Sequence, residues 1–151
     1  MTFSQFVSLS YYIDLIKKIQ KMSLLNKIFG GSKESKEEKV LPWIPLTETS
    51  QLATIAQKSN TKTQVIFKHS TRCGISRMVM NQFVAMYDLT EADLDLYYLD
   101  LLNYRSVSDE VGVKFMVMHE SPQLLVIKNG NVITHASHGG INDINLQDFV
   151  S

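Results

Sequence analysis

The sequence predicts an α/β fold: a central mixed sheet of four to five strands flanked by helices, with an N-terminal extension outside the core. Three observations carry that prediction. Apolar runs centred on Val65-Ile66-Phe67, Leu96-Tyr97-Tyr98-Leu99 and Leu124-Leu125-Val126 alternate with stretches of helical periodicity, the pattern of β-α-β units. Asn129-Gly130 between two strand-like runs is a two-residue hairpin signal, so the last strand returns antiparallel. The chain has 151 residues, enough for one domain; such a domain buries about 68–70% of its unfolded surface.

Residues 1–39 stand apart as an extension and polar linker, leaving 40–151 as the folded domain. Positions 11–28 mix Tyr12, Ile13, Leu15, Ile16 and Ile19 with Lys17, Lys18, Lys21 and Lys27, a weakly amphipathic basic helix pattern. The uncharged run 1–13 is too short and too polar to span a bilayer. No charged n-region precedes it and no small-residue cleavage site follows, so it does not read as a secretory signal. Three readings stay open: a surface-lying anchor, a partner-binding helix, or residues upstream of a true start at Met22, the last preferred. Residues 30–39 carry mixed charge and no apolar side chain before Val40, which reads as a flexible linker.

Within the domain, Val40-Leu41-Pro42-Trp43-Ile44-Pro45-Leu46 is a short strand whose prolines suit a sheet edge. Thr49 or Ser50 caps a helix bearing Leu52, Ile55 and Ala56. A loop at 59–62 leads into the buried strand around Ile66. Ile75, Met78, Val79, Gln82, Phe83 and Met86 then recur at helical steps. Residues 95–101 form a second buried strand, and Ser106 or Ser108 starts a helix through Val111, Phe115 and Met116. Strands at 123–127 and 131–135 flank the hairpin turn. Asn142 or Asp143 caps a short final helix carrying Ile144, Leu146 and Phe149. Met78, Met80, Met86, Met116 and Met118 are expected to fill core.

Chemistry concentrates where the strand around Ile66 turns into the next helix. Cys73, the only cysteine, sits on or just before the first helical turn. Free backbone N–H groups and the positive end of the helix dipole gather there and favour a thiolate, the nucleophilic form. Lys68, Arg72 and Arg77 add positive charge nearby, and Ser76, three residues on, can offer its hydroxyl to the sulfur. A lone cysteine is often no more than a small buried hydrophobe, but this placement among three cations favours a reactive thiol. With one cysteine, any disulfide is intermolecular, which is compatible with a reducing cytoplasm. Lys plus Arg and Asp plus Glu number 15 each, so no global field favours nucleic acid.

The segment Lys68-His69-Ser70-Thr71-Arg72-Cys73-Gly74-Ile75-Ser76-Arg77-Met78 resembles the active-site segment of the bacilliredoxin family, YtxJ type. These are monothiol, thioredoxin-like proteins that exchange thiols with bacillithiol. Leu99-Asp100-Leu101-Leu102, His119-Glu120-Ser121-Pro122-Gln123 and His135-Ala136-Ser137-His138 agree in the same order, so the likeness covers about residues 41–151. The family usually has proline after the cysteine, where this chain has Gly74. The element order derived above, β-α-β-α-β-α-β-β-α, is also the thioredoxin order.

The resemblance implies a cytoplasmic thiol-disulfide oxidoreductase. Cys73 would take bacillithiol, or a similar low-molecular-weight thiol, from S-thiolated client proteins, with that thiol as co-substrate and no tightly bound cofactor. Ser76 occupies the place of a dithiol enzyme's second cysteine. Arg72, Gly74 and Arg77 border the thiol, the arginines holding the thiolate or the ligand's anionic groups. Pro122 would be cis beside the cysteine, with Ser121 presenting backbone groups. Gly139-Gly140-Ile141-Asn142-Asp143 resembles the glutaredoxin segment that holds glutathione's terminal carboxylate, and two glycines before a helix start suit an anion. Neither nucleic acid nor stable membrane insertion is expected.

Two alternatives remain. Cys73-Gly74-Ile75-Ser76 comes close to the Cys-Gly-Phe-Ser of monothiol glutaredoxins, which bridge an iron–sulfur cluster between chains; or the domain is a non-catalytic interaction module. A metal site from Cys73 with His69, His119, His135 and His138 is not expected, because structural zinc takes four ligands in recognisable close pairs.

Overall fold

The computed structural model describes residues 39–150. The expectations for the N-terminal helix and nearly all of the linker fall outside them. Five strands form one mixed sheet in the order β1-β3-β2-β4-β5. The strands are β1 (Trp43–Pro45), β2 (Thr63–His69), β3 (Leu94–Asp100), β4 (Gln123–Lys128) and β5 (Asn131–Ser137). β3 pairs parallel with both β1 and β2; β4 runs antiparallel to β2, and β5 antiparallel to β4. β1 lies at the edge, where a proline's missing N–H costs least. The hairpin turn is as expected: Asn129 and Gly130 both have positive φ, 51° and 75°.

Strand alternation sends successive residues to opposite faces, and each face carries a core. On one face Val65, Phe67, Leu96, Leu124 and Val126 pack against Val79 and Phe83 of α2 (Gly74–Met86). On the other, Ile66, Tyr97, Leu99, Leu125 and Ile127 meet Leu52 and Ile55 of α1 (Gln51–Lys58) and Val107, Val111 and Phe115 of α3 (Arg105–Phe115). β2, covered on both faces, is buried at every position.

Several local expectations are corrected. α2 carries two apolar stripes, and the structure buries the one through Ser76, Val79 and Phe83. Phe83 decides this, its ring lying 5.1 Å from that of Phe67 and 6.0 Å from that of Trp43. Ile75, Met78 and Met86 therefore face outward and are more than half exposed. Met116 and Met118 are also exposed, so of the methionines expected in the core Met80 alone packs against it. Met116 closes α3 in the left-handed region, φ 53°, and turns away from the sheet.

α3 starts at Arg105 with Tyr104 at the cap position, rather than at Ser106 or Ser108. The preceding turn is held by Asp100, whose carboxylate accepts from the Leu102 and Asn103 N–H groups, and Ser108 points into the core. Ser50 is the cap position of α1 but makes no capping bond; Gln51 Oε1 takes the Thr47 and Glu48 N–H groups instead. The final helix expected from Asn142 or Asp143 is replaced by two 3-10 helices, His138–Asp143 and Leu146–Phe149. The second is capped by Asn145. So short a tail with two glycines cannot sustain α-helical propagation.

Candidate functional site

β2 ends at His69, the chain turns through Ser70, Thr71 and Arg72, and Cys73 takes the N-cap position of α2. The Cys73 N–H donates to Ser70 O at 3.1 Å, and Cys73 O accepts from the Arg77 N–H at 3.1 Å, closing the first helical turn. Cys73 is extended, φ −99° and ψ 122°, and makes no side-chain cap. It is a free thiol, half-buried at the surface of the turn. The helix N-terminal placement read from the sequence is therefore present.

Ser76 is fully buried. Its Oγ accepts from the Ser70 N–H at 3.0 Å and shares a hydrogen with His69 Nδ1 at 2.7 Å. The hydroxyl expected to serve the sulfur is thus tied to the end of the strand. Burial lowers the His69 pKa below its ordinary value; Asp100 opposes that shift and Arg77 adds to it. His69 O accepts from Leu101 N–H at 3.1 Å, fixing the strand end to the loop after β3.

The three expected cations separate. Arg72 on the turn and Arg77 on α2 are both exposed, with Arg77 Nη2 reaching back to Thr71 O at 3.4 Å. Lys68 does not join them, because the pleat turns it to the face opposite α2. There its Nζ lies 2.9 Å from His119 Nδ1 and 3.1 Å from Gln123 Oε1, and burial lowers its pKa to about 8. Gln123 Nε2 donates to Met118 O at 2.8 Å and its Oε1 accepts from the Glu120 N–H at 3.4 Å. Lys68 and Gln123 thus hold from below the loop that leads to Pro122. This cluster and the His69–Ser76 bond were missed from sequence; a lysine inside an apolar strand run was the one available signal.

The Ser121–Pro122 bond is cis. Gln123 pairs with Lys68 in register, so Pro122 stands at the end of β2, beside the turn that carries Cys73. Ser121 Oγ is buried with no hydrogen-bond partner among the described residues. His138 N–H donates to Pro122 O at 3.1 Å and brings Gly139 and Gly140 to the same end of the sheet. They lie inside a six-residue 3-10 helix, however, so the anion-site argument loses the α-helix start on which it stood. The histidines are separately placed: His69 on Ser76, His119 on Lys68, and His135 opposite Leu125 in the hairpin. Among the described residues no group of three or more His, Cys, Asp or Glu could hold a metal ion.

Chemically, this end of the sheet offers one accessible thiol at a helix N-terminus, a cis-proline, and no second cysteine. Such a thiol exchanges with disulfides only by forming a mixed disulfide with another molecule. A solved structure described as a candidate oxidoreductase with a thioredoxin fold is 35% identical, with a TM-score of 0.57, covering 66% of this chain and 86% of that one. A thioredoxin from Malassezia sympodialis is 21% identical, with a TM-score of 0.54 and coverage of 70% and 84%. The thioredoxin pre-protein of Schistosoma mansoni is 17% identical, with a TM-score of 0.51 and coverage of 71% and 93%. The two thioredoxins speak for the fold alone. The family model described as Monothiol bacilliredoxin BrxC matches residues 44–146. The chain belongs to the monothiol bacilliredoxin family and has its thiol, Cys73, at the helix start of a thioredoxin-like fold.

Proposed function

We propose that this protein removes bacillithiol, or a similar low-molecular-weight thiol, from S-thiolated client proteins in the cytoplasm. The observation that carries the reading is the single free, half-buried cysteine at the N-cap of α2 in a chain of this family. Cys73 thiolate attacks the small thiol's sulfur in the mixed disulfide. That S–S bond breaks, the client leaves as a thiolate that takes a proton from solvent, and Cys73 now carries the small thiol. A second small-thiol thiolate attacks the carried sulfur, giving the symmetrical disulfide and freeing Cys73 thiolate. Exposed Arg72 and Arg77 are available to anionic groups of the ligand, exposed Gly74 follows the thiol with open space around it, and Ser121 and Pro122 border the same turn. Residues 40–151 are the working unit in this reading. No helix among the described residues is long and apolar enough to cross a membrane.

The test is mass spectrometry of the protein after treatment with a bacillithiolated client. Transfer of the small thiol to Cys73, lost in Cys73→Ser, is expected. An unmodified Cys73 with the client still thiolated refutes the proposal. Brown colour and visible absorbance after anaerobic purification would point to a cluster carrier instead.

A further inference from the structure

We propose that His119 is a positioning residue for exchange at Cys73: its ring, accepting a hydrogen from Lys68, latches the loop that leads to Pro122, and protonation of the ring releases it. The inference deepens the reading above and rests on the turn at Cys73 being the reacting surface.

Three successive loop residues are held by two side chains of the sheet. Gln123 Nε2 donates to Met118 O at 2.8 Å, and Gln123 Oε1 accepts from the Glu120 N–H at 3.4 Å. Between them, His119 Nδ1 lies 2.9 Å from Lys68 Nζ, which also donates to Gln123 Oε1 at 3.1 Å. Lys68 and Gln123 are wholly buried and stand opposite each other in the register of β2 and β4. Ser121 and Pro122 follow directly, at the end of β2 beside the turn that carries Cys73, and Pro122 O accepts from the His138 N–H at 3.1 Å. The grip on residues 118–120 therefore sets where that border of the turn stands.

An ammonium can only donate, so its 2.9 Å contact requires a bare Nδ1 and puts the hydrogen of the neutral ring on Nε2. Up to a pH of about 8 Lys68 is charged, which makes the contact a charge-assisted bond. Ser108 Oγ, at 3.4 Å from Nδ1, is too distant to hold the ring alone. Protonation turns Nδ1 into a second donor and sets two positive charges against each other. His119 is an exposed residue, so the ring has a way out to water. Burial, Lys68 of β2 and Arg105 of α3 lower the His119 pKa, while Asp109 of α3 and Glu120 of the loop oppose them. The latched ring thus has the lower pKa and the released ring the ordinary one. Because the released form binds more protons, the latch opens as pH falls through the histidine range and closes as pH rises above it.

His119→Asn isolates the latch, because its carboxamide can accept from Lys68 but cannot titrate. Transfer from a bacillithiolated client to Cys73 is timed across pH in both proteins, and the ratio of rates removes the thiol ionisation common to them. The ratio of wild type to His119→Asn should fall about tenfold from one pH unit above the His119 midpoint to one unit below it, following the uncharged fraction of the ring. His119→Ala, which has no acceptor, should be slow throughout. Without any client, the His119 ring of the full chain is titrated by NMR. Lys68→Met should move its midpoint up toward that of a free histidine, and the wild-type Glu120 amide should shift with the ring. A flat rate ratio overturns the proposal, and so does a ring midpoint that Lys68→Met leaves unchanged. Should His119→Asn fail to fold, the ring titrations decide alone. Absence of transfer in every protein at every pH refutes the proposed function instead, and the ring midpoint then decides the latch.

Discussion

Lys68 is the residue whose physical cost is easiest to read. Its ammonium group is fully buried, with His119 and Gln123 as hydrogen-bond neighbours, and burial brings its pKa from 10.5 to about 8. A depressed lysine is a liability while it is charged. Between the two values the unfolded chain binds more protons than the folded one, so stability rises with pH from about 8 to about 10.5; below 8 the whole penalty is present. That gap, at about 1.4 kcal/mol per unit, makes the penalty about 3 kcal/mol at most. Tyr87 and Tyr97, both pushed up to about 12 by burial, act in the opposite direction above pH 10, so the window to use is 8 to 10. Lys68→Met is expected to be more stable than wild type in urea at pH 7 and to lack the rise between pH 8 and 10. It leaves Gln123 Oε1 with the Glu120 N–H and His119 Nδ1 with the Ser108 hydroxyl at 3.4 Å, so no acceptor is orphaned. Equal pH slopes in the two proteins would show that the ammonium is not the cause. Retaining so costly a group fits its place under the loop to Pro122, and the same variant should exchange disulfides more slowly.

At the scale of one element, the start of α2 is already shaped for the residue it lacks. Gly74 is the first helical position, a Cβ there meets nothing within 4 Å, and its φ is not positive. Cys73 before it is extended, the conformation a following proline demands. Proline at this helical position loses only an N–H that lies outside the helix ladder. Gly74→Pro is therefore expected to raise stability by about 0.4–1 kcal/mol, chiefly by restricting the unfolded chain. The lost N–H also has a chemical side. It is one of the free donors at the helix start, and a charge-assisted bond from it to the thiolate is worth about 1.5–3 kcal/mol. The variant should therefore melt higher and react more slowly with iodoacetamide at neutral pH. A faster or unchanged reaction would show that the Gly74 N–H does not serve the sulfur.

At the scale of the whole molecule, what sequence revealed and what it hid divide by distance along the chain. The buried strand, the Asn129-Gly130 hairpin and the cap position of Cys73 are local, and each was legible. Pro122 was legible only through the family resemblance, since a proline's isomer is not a local property. The buried stripe of α2 was not, because Val79-Phe83 and Met78-Met86 both satisfy helical spacing and only the Trp43–Phe67–Phe83 rings choose between them. The bond from Lys68 to His119 spans 51 residues and depends on which way the pleat turns. The contact of His69 with Ser76 passes through a turn whose shape no periodicity predicts. The same rings test whether the two cores act as one. Phe67 lies in the central strand, wholly buried, with Trp43 6.1 Å and Phe83 5.1 Å from its ring. Phe67→Ala should cost about 3–5 kcal/mol, a large share of the about 5–15 kcal/mol a domain possesses. Leu125, on the opposite face, should cost about 2–5 kcal/mol when cut to alanine. Because both faces share β2, each variant is expected to unfold in a single urea transition, with Trp43 fluorescence and far-ultraviolet circular dichroism coincident. Separated transitions in either variant would mean that the layer carrying α2 and Cys73 can open while the α1–α3 layer stays folded.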